Sequence, residues 1–404
     1  MNDVIVSHAG RQHAYEVAGA LEHAGLLETF FTSSYYRRDF YPDRLARLVP
    51  SLDRLLQKRH HPAIDARRVK RFPTLELPEI ASRFVGVEGR IVNALVARRD
   101  ERFDALVAER LLQMRAALFW GAQGSCLESL QAARSMGMAT VAEMMSVPQR
   151  VSQALLERAG VPHEKADASQ YSLRQEREPA TADWCVVGST FISKTLQTLG
   201  IPASRIHVIP LGVNLREFSA PERAPHAKLR VLFVGKLGRH KGLQYLLEAM
   251  RLLDTSHVEL SLVGPQVGDE DLFDSVDTSV VRVVGPLEGA ALHDAYASHD
   301  VFVLPSLYEG FGLVVLEAMA GGLPVIVSEN SCAPDVVREG VDGFVVAPFD
   351  VDVIAARIAW CADNRERVRE MGMRAAERAR EFTWEAHGQR VENVARRIIS
   401  GSSP

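Results

Sequence analysis

The segment that decides the fold reads DVFVLPSLYEGFGLVVLEAMAGGLPVIVS, residues 300–328. The apolar run VFVLP predicts a buried strand, because it is short, rich in valine and bounded by turn residues. A glycine-containing turn follows, and the apolar stretch after Gly312 predicts a helix that leads to a second strand, PVIVS. A strand, a helix and another strand in succession are typical of a parallel sheet with helices on its faces.

Strands and helices alternate in this way along both halves of the chain. In the N-terminal half the predicted strands are DVIVSHAG, LETFFT, RAALFWG, MATVAEM, DWCVVGS and RIHVIPLG. In the C-terminal half they are LRVLFVG, VELSLVG, SVVRVVG, VFVLPS, PVIVS and FVV. We therefore predict two doubly wound α/β domains, over 1–212 and 226–382, joined by a linker over 213–225 and followed by an amphipathic helix over 383–400.

The composition of the 404-residue chain is that of an ordinary globular protein. It is 47% hydrophobic and 24% charged, which excludes a disordered or collagen-like chain. The net charge of −4 argues against general nucleic-acid binding. We see no apolar run of the roughly 18 residues that a membrane span needs and no secretory leader pattern. The four cysteines form no CxxC pair, which argues against a zinc or disulfide framework, and we expect a cytoplasmic protein.

Residues 37–115 are the basic part of an otherwise acidic chain, with 18 Lys and Arg against 11 Asp and Glu. The densest cluster contains Arg67, Arg68, Lys70 and Arg71. One interpretation is a surface for anionic lipid head groups or a phosphorylated acceptor, with peripheral contact at the inner face of a membrane. The other interpretation is an ordinary solvated face of a helix.

The turn that precedes the helix in 300–328 is suited to binding a phosphate. The first N–H groups of a helix have no partner within it and carry the positive end of its dipole. Gly310 and Gly312 let the backbone approach such a ligand closely. Glu309 and Glu317 lie eight residues apart, a spacing that favours contacts with hydroxyl groups at two ends of a longer ligand over an acid–base pair.

A second loop, VGKLGRHKG, follows the first strand of the C-terminal half and is rich in cations. Gly235 ends the strand, and Lys236, Arg239 and Lys241 follow within six positions. Cations beside a helix N-terminus are suited to a diphosphate, although a basic surface turn would look the same. Both loops are predicted at the same edge of one parallel sheet, which favours a shared anion site.

Five segments in this order resemble the retaining glycosyltransferases of family 4. They are VIPLGVNLREF (208–218), FVGKLGRHKG (233–242), the Glu-x7-Glu motif within 300–328, APDVVREGVDGFVV (333–346) and FTWE (382–385). The resemblance is close over about 180–404 and only organisational before that. Lys236 stands where the family often has Arg, so the bidentate fork is lost. Ser331 and Cys332 replace a glycine pair.

The resemblance implies the GT-B fold: two Rossmann-like domains that face each other across a cleft, with the last helix returning to the N-terminal domain. It implies a metal-independent, retaining transfer of a sugar from a nucleoside diphosphate, with UDP- or GDP-sugar as the expected donor and no cofactor. The implied acceptor is a saccharide or a lipid-linked molecule of polysaccharide or glycoconjugate biosynthesis.

The resemblance also implies roles for individual residues. Glu309 contacts the donor sugar, while Lys236 and Lys241 neutralise the diphosphate. Glu317 binds the ribose. The remaining predicted donor contacts are Gly235, Arg239, Gly285, Leu287, Gly310, Phe311, Gly312 and Leu313.

The N-terminal half offers candidates but no settled site. Gly10 is a candidate for close approach to the diphosphate, and Arg11 or His13 for contact with the acceptor; a plain strand–helix turn with a surface histidine is the alternative. The histidine that many relatives carry after a middle strand has no clear counterpart. Gln123, Ser125 and Glu143 are candidate contacts of the acceptor or sugar.

Two other functions remain open at this point. A sugar-nucleotide epimerase or hydrolase would need an acid–base set, and none is evident. A non-catalytic sugar-nucleotide-binding subunit would not need Glu309, Glu317 and the two lysines together. The two Asp-x-Asp patterns, at 269–271 and 350–352, lack the context of a metal site and are set aside as chance.

Overall fold

The computed structural model describes residues 3–10, 13–37, 40–41, 43–84, 90–161, 170–218, 227–266, 268–274 and 276–401. Within this part of the chain there are two parallel sheets. The strands of the first sheet are β1 Val4–His8, β2 Leu27–Thr32, β3 Val69–Arg71, β4 Leu118–Ala122, β5 Ala139–Met144, β6 Trp184–Val187 and β7 Ile206–Val208. Those of the second are β8 Leu229–Val234, β9 Val258–Val263, β10 Val281–Gly285, β11 Val301–Leu304, β12 Val325–Ser328 and β13 Gly343–Val346.

Helices connect the strands and cover the sheets. In the first domain they are α1 Ala14–His23, α2 Pro50–Gln57, α3 Leu77–Phe84, α4 Arg90–Leu111, α5 Leu127–Ser135, α6 Gln149–Arg158, α7 Gln170–Thr181 and α8 Thr190–Thr198. In the second they are α9 Leu243–Arg251, α10 Ala290–Ser298, α11 Leu313–Ala320, α12 Ala333–Val336, α13 Val351–Asp363 and α14 Arg365–Ala379. The last helix, α15 Trp384–Ile399, begins at the N-cap Thr383.

Both sheets have a doubly wound strand order. The first runs β3-β2-β1-β4-β5-β6-β7 and the second β10-β9-β8-β11-β12-β13. In each, the chain reverses its direction of winding beside its first strand, between β1 and β4 and between β8 and β11. Ligands of such sheets bind at this switch point, outside the carboxyl ends of the strands. The predicted parallel α/β architecture is confirmed, and the two cation- and glycine-containing loops follow the adjacent strands β8 and β11.

The first sheet is buried on both faces, as a parallel sheet between helices requires. Along β1, Val4 and Val6 belong to one apolar cluster and Ile5 belongs to another on the opposite face. This alternation follows from the two-residue period of a strand. A third cluster forms the core of the second domain.

The last helix returns to the N-terminal domain, as expected from the resemblance. Gly388 of α15 lies against Ala20 of α1, where an added Cβ would be 2.9 Å from the Ala20 Cβ. His387 Nδ1 is 2.9 Å from the Pro210 carbonyl oxygen. At the start of the predicted linker, the Val213 N–H donates to the Phe382 carbonyl at 2.8 Å. The connector is therefore packed where it begins, and residues 219–226 lie outside the described part.

The basic cluster of the first domain spans a short 3-10 helix and the strand after it rather than one face of an α-helix. Arg67 and Arg68 are in a single turn of 3-10 helix, and Lys70 and Arg71 are in the edge strand β3. The three arginines form ion pairs, with Asp65, Glu22 and Asp43 respectively. Edge strands with charged side chains resist pairing with other chains, which accounts for basic residues at this position.

Among the residues that the structure describes, no helix combines the length and apolar character needed to cross a membrane.

Candidate active site

The loops after β8 and β11 meet closely at the edge of the second sheet. Gly242 has a φ of +69°, and an added Cβ there would lie 2.0 Å from the carbonyl oxygen of Pro305. The Leu307 N–H donates to the His240 carbonyl at 3.0 Å. Only glycine permits both this conformation and this approach, so Gly242 positions the lysine beside it against the other loop.

That contact joins Lys241 to Glu309. The Lys241 Nζ lies 2.6 Å from the Glu309 Oε1, and the Ser306 hydroxyl donates to the same oxygen at 2.8 Å. The Glu309 side chain is largely buried, and the backbone N–H of Glu309 is held by the Asn330 carbonyl at 2.8 Å. A carboxylate fixed by an ammonium and a hydroxyl is pre-organised and keeps acceptor capacity for a further hydroxyl group.

The helix α11 begins directly beside this pair. Its N-cap is Gly312, whose φ of +92° places it in the region that favours glycine. The N–H groups of its first turn carry the positive end of the helix dipole and can bind an anion. Phe311 is buried and anchors the loop, while Leu313 is partly buried at the first helical position.

The three predicted cations occupy different environments. Lys236 is exposed and forms no ion pair with any described residue. Arg239 is held by Asp269 and Asp271, so one of the Asp-x-Asp patterns set aside above has a structural partner. Burial lowers the pKa of His240, and the neighbouring Lys241 lowers it further. The positive charge of these loops near neutral pH therefore comes from the lysines and the arginine.

Glu317 lies in the second turn of α11 and has a hydrogen-bond partner. The Tyr296 hydroxyl donates to the Glu317 Oε2 at 2.9 Å. Burial raises the pKa of the Glu317 carboxyl, while the hydrogen bond from Tyr296 lowers it. Glu317 and Leu313 open into a cavity of about 640 Å³ that is also lined by residues 212–218 and 383–385.

The third donor segment, Gly285 to Leu287, follows the edge strand β10. Gly285 has a φ of +86°, and its carbonyl accepts a hydrogen bond from the Gly264 N–H at 2.9 Å. Gly235 also has a positive φ, of 155°, and its carbonyl oxygen would lie 1.8 Å from a Cβ added at Gly264. The ends of β8, β9 and β10 are thus brought together, at the same sheet edge as Glu309.

The two domains touch across this edge. A Cβ added to Gly310 would lie 2.1 Å from the backbone oxygen of Met145, which follows β5. The Ser189 hydroxyl lies 3.4 Å from the Gly310 carbonyl. The Thr190 N–H donates to the Asp335 Oδ2 at 2.8 Å. The glycine loop therefore faces the carboxyl edge of the first sheet at contact distance.

The two described histidines of the first loop of the N-terminal domain, His8 and His13, are largely buried rather than on the surface. The Gly10 N–H donates to the His8 Nδ1 at 2.6 Å. The His13 Nε2 lies 3.4 Å from the Oε1 of Glu143. Arg11 lies outside the described residues. His8, Gly10 and His13 share one pocket with the three other N-terminal candidates, Gln123, Ser125 and Glu143.

Several residues that shape the site were not anticipated. Ser306 contacts Glu309, three positions away, and Tyr296 contacts Glu317, 21 positions away. Asp335 accepts from the N–H of Thr190, 145 positions away. The position of Ser306 three residues before Glu309 was the only local signal. The others depend on which helices become neighbours, and sequence spacing does not contain that information. Asp350, in the second Asp-x-Asp pattern, caps helix α13 by accepting from the Val353 N–H.

Known proteins resemble parts of this chain in sequence. The model of the glycosyl transferases group 1 family matches residues 215–381. The sulfoquinovosyl transferase of Arabidopsis thaliana is 32% identical over 227 residues, which are 52% of this chain and 44% of that protein. The chain spans about half the length of the first curated relatives it matches.

Solved structures resemble the whole chain. Sucrose-phosphate synthase of Thermosynechococcus elongatus has a TM-score of 0.70 at 21% identity and covers 100% of both chains. HepE of Anabaena, solved in complex with UDP, has a TM-score of 0.66 at 17% identity and covers 98% of this chain and 100% of that one. This likeness over the full length confirms the predicted GT-B arrangement of the two domains.

Proposed function

Because the model of the glycosyl transferases group 1 family matches residues 215–381, we propose that the chain is a glycosyltransferase. It moves a sugar from a nucleoside-diphosphate donor to a saccharide or lipid-linked acceptor in polysaccharide or glycoconjugate biosynthesis. The observation that carries this proposal is the 2.6 Å ion pair of Lys241 and Glu309 beside the N-terminus of α11. This pair supports the proposal because a cation, a carboxylate and the first N–H groups of α11 lie within one loop cluster.

We propose a single orientation of the donor on the second domain. Lys236, Lys241 and the N-terminus of α11 surround a position for the diphosphate. Glu309 accepts hydrogen bonds from the sugar, and Glu317 accepts them from the ribose. The cavity of about 640 Å³ at Glu317 lies within the roughly 300–1,000 Å³ range of small-molecule pockets. UDP is the first nucleotide to test, because HepE was solved in complex with it. GDP is the second.

The proposed chemistry breaks the bond between the anomeric carbon and the diphosphate oxygen. The electron pair leaves with the nucleoside diphosphate, whose growing negative charge is stabilised by the two lysines and the helix dipole. The acceptor hydroxyl forms the new bond on the same face of the sugar, and its proton passes to the departing phosphate. This is the retaining course. The lysines supply the charge stabilisation, so the proposed mechanism uses no metal.

We also propose a peripheral contact of the basic cluster with an anionic membrane. Lys70 is exposed on the edge strand β3, and the exposed Arg67, which pairs with Asp65, precedes this strand, while Arg68 and Arg71 are engaged by Glu22 and Asp43. Each basic residue near an anionic surface contributes about 1 kcal/mol. We expect weak, salt-sensitive binding to vesicles of anionic lipid, and none after Arg67→Glu with Lys70→Glu. Sedimentation that is equal for both proteins would contradict it.

Thermal unfolding with UDP, GDP and ADP tests the donor site. A ligand at about 100 times its dissociation constant adds about 2.7 kcal/mol, which raises the melting temperature by several degrees. Glu317→Ala should abolish the shift caused by the preferred nucleotide. Glu329→Ala removes an exposed carboxylate from the same sheet edge and should leave the shift intact. If no nucleotide stabilises the wild type, the proposal fails.

A further inference from the structure

Helix α6 of the first domain is a half-exposed element that reaches the second domain. None of its residues is buried, and an ion pair of Arg150 with Glu176 of α7, at 3.0 Å, ties it to its own domain. The helix begins four residues after Met145, whose carbonyl oxygen faces Gly310 of the donor loop. Elements with few buried contacts open at low cost, so the contacts of α6 with the second domain decide where this helix lies.

The last turn of α6 contacts the second domain through Arg158. The carbon of its guanidinium group lies 4.7 Å from the centre of the Phe349 ring, which is the distance of a cation–π contact. Tyr245 of α9 meets the same ring edge to face, with the ring centres 5.7 Å apart and the planes at 89°. Phe349 lies in the connection between β13 and α13, so this contact joins the end of α6 to a loop of the other domain.

The backbone of Phe349 is in an unusual conformation. Its φ is +71°, and among the described residues only Phe349 and Asp269 combine a positive φ with a side chain. For a bulky residue this conformation is an outlier, and such outliers are found at clamps and switch regions, where the surroundings hold them in place. The next residue, Asp350, caps helix α13. A turn before a helix cap would be formed at lower cost by glycine, so a phenylalanine here indicates a role for the ring.

The same helix also reaches the donor loop. Burial raises the pKa of Tyr308, the charge of Glu309 raises it further, and a side-chain hydrogen bond with Ser152 of α6 lowers it. Tyr308 directly precedes Glu309, and Gly310, which Met145 contacts, directly follows it. One segment of the first domain therefore touches the chain neighbours of Glu309 on both sides.

From these contacts we propose that Arg158 and Phe349 are positioning residues of the transfer reaction. Their contact holds α6 against the second domain and thereby fixes the edge of the first sheet on both sides of Glu309. The inference rests on the proposed glycosyltransferase function, in which Glu309 binds the donor sugar. Neither Arg158 nor Phe349 touches the donor. Loss of their contact should let α6 move away, which separates acceptor from donor and leaves nucleotide binding by the second domain intact.

Distances between two spin labels on the full-length chain test the contact without depending on activity. The four native cysteines are buried, so the labels attach at Met136→Cys and Met373→Cys, which are exposed positions in the first and second domains. The UDP-loaded wild type should show mainly one short distance. Arg158→Ala and Phe349→Gly should each lower the ratio of closed to open molecules about 2- to 5-fold, the effect of one exposed cation–π pair.

Phe349→Gly also separates the role of the ring from the demands of the turn. Glycine suits a φ of +71°, so a purely structural role predicts unchanged label distances and an unchanged or higher urea midpoint. The proposed contact predicts a lowered closed-to-open ratio with a midpoint that does not fall. Because the two residues act through one contact, Arg158→Ala should have no further effect in the Phe349→Gly chain.

Arg357→Ala is the matched control. It removes a guanidinium group that lies 4.4 Å from the Phe344 ring, a contact of the same kind within the second domain. It should leave the closed-to-open ratio unchanged. Arg158 is exposed, so Arg158→Ala is expected to fold even if removal of the Phe349 ring destabilises its loop.

Steady-state kinetics connects the contact to the reaction. Arg158→Ala and Phe349→Gly should lower kcat about 2- to 5-fold and keep the wild-type affinity for UDP, and Arg158→Lys, which retains a cation, should recover most of the loss. Unchanged label distances in both variants, additive effects in the double variant, or a loss confined to UDP affinity would each overturn the inference. A lowered closed-to-open ratio in a chain that binds no nucleotide and transfers no sugar would support the interdomain contact and refute the glycosyltransferase proposal.

Discussion

Gly310 touches the Met145 carbonyl where the two domains meet. A single methyl group added at Gly310 should therefore force the two domains apart at this point. An alanine Cβ at residue 310 would be 2.1 Å from that oxygen, and Cβ contacts below 3.0 Å are essentially not tolerated. The two atoms must therefore separate by at least 0.9 Å. The backbone φ of Gly310 is not positive, so the alanine itself is not strained when the cleft is open.

This displacement acts on the distance between donor and acceptor. The Met145 oxygen belongs to backbone at the end of β5 and cannot rotate away. Misplacement of reacting groups by about 1 Å costs about 100-fold in rate, or about 2.7 kcal/mol of transition-state stabilisation. We expect Gly310→Ala to lower kcat by about 100-fold and to leave the affinity for UDP unchanged.

The assay is release of the nucleotide from its sugar donor, combined with calorimetric titration of UDP and small-angle scattering of the loaded protein. Gly188→Ala is the matched control, because its Cβ would meet the Met145 sulfur at 3.1 Å and the Phe311 ring at 3.3 Å. These side-chain atoms can rotate, so its effect should stay below about five-fold. Full activity of Gly310→Ala would refute the argument, since the observed closed contact would then not be the reacting state.

Three further perturbations test other parts of the molecule. Tyr296→Phe removes the 2.9 Å hydrogen bond to Glu317 and should weaken UDP binding about 10-fold by calorimetry; unchanged affinity would contradict a positioning role. Glu178 has a pKa raised by burial from 4.5 to about 7, so the folded state binds the proton more tightly and stability falls as the pH rises from 4.5 through 7. Glu178→Gln should flatten that part of the pH profile of urea unfolding, and parallel profiles would refute the assignment. Gly388→Val inserts side-chain atoms where α15 meets Ala20 and should cost about 1–3 kcal/mol of unfolding free energy, whereas an unchanged urea midpoint would show that the helix docks elsewhere.

The parallel sheets could be predicted because their signals are local. Each predicted strand is a short apolar run, and the inner strands of both sheets are buried in the structure, whereas the edge strands β7 and β10 are partly exposed. The edge strand β3 was missed, because Val69–Arg71 is only three residues long and two of them are basic. Its strand conformation comes from pairing with β2, a partner nearly 40 positions earlier in the chain.

Some residues of the candidate site could likewise be predicted from local sequence signals, and others could not. Glu309, Gly310 and Gly312 were predictable, because a turn between a strand and a helix brings chain neighbours to one place. Lys241 was predicted from the parallel order of the strands, since β8 and β11 end at the same edge. The pairing of Arg239 with Asp269 and Asp271 was not predictable, because the arginine and the two aspartates lie on different loops about 30 positions apart.

The sequence by itself determined the two doubly wound domains and the glycine- and lysine-containing loops of the second one, because strand periodicity, turn chemistry and helix starts are properties of neighbouring residues. Only the tertiary structure decided that His13 meets Glu143 and that Met145 meets Gly310. Those contacts join residues 130 and 165 positions apart. They depend on how helices cover a sheet and on how two domains come together. The local pattern of a chain of this length permits many such pairs, and burial and close packing select one of them.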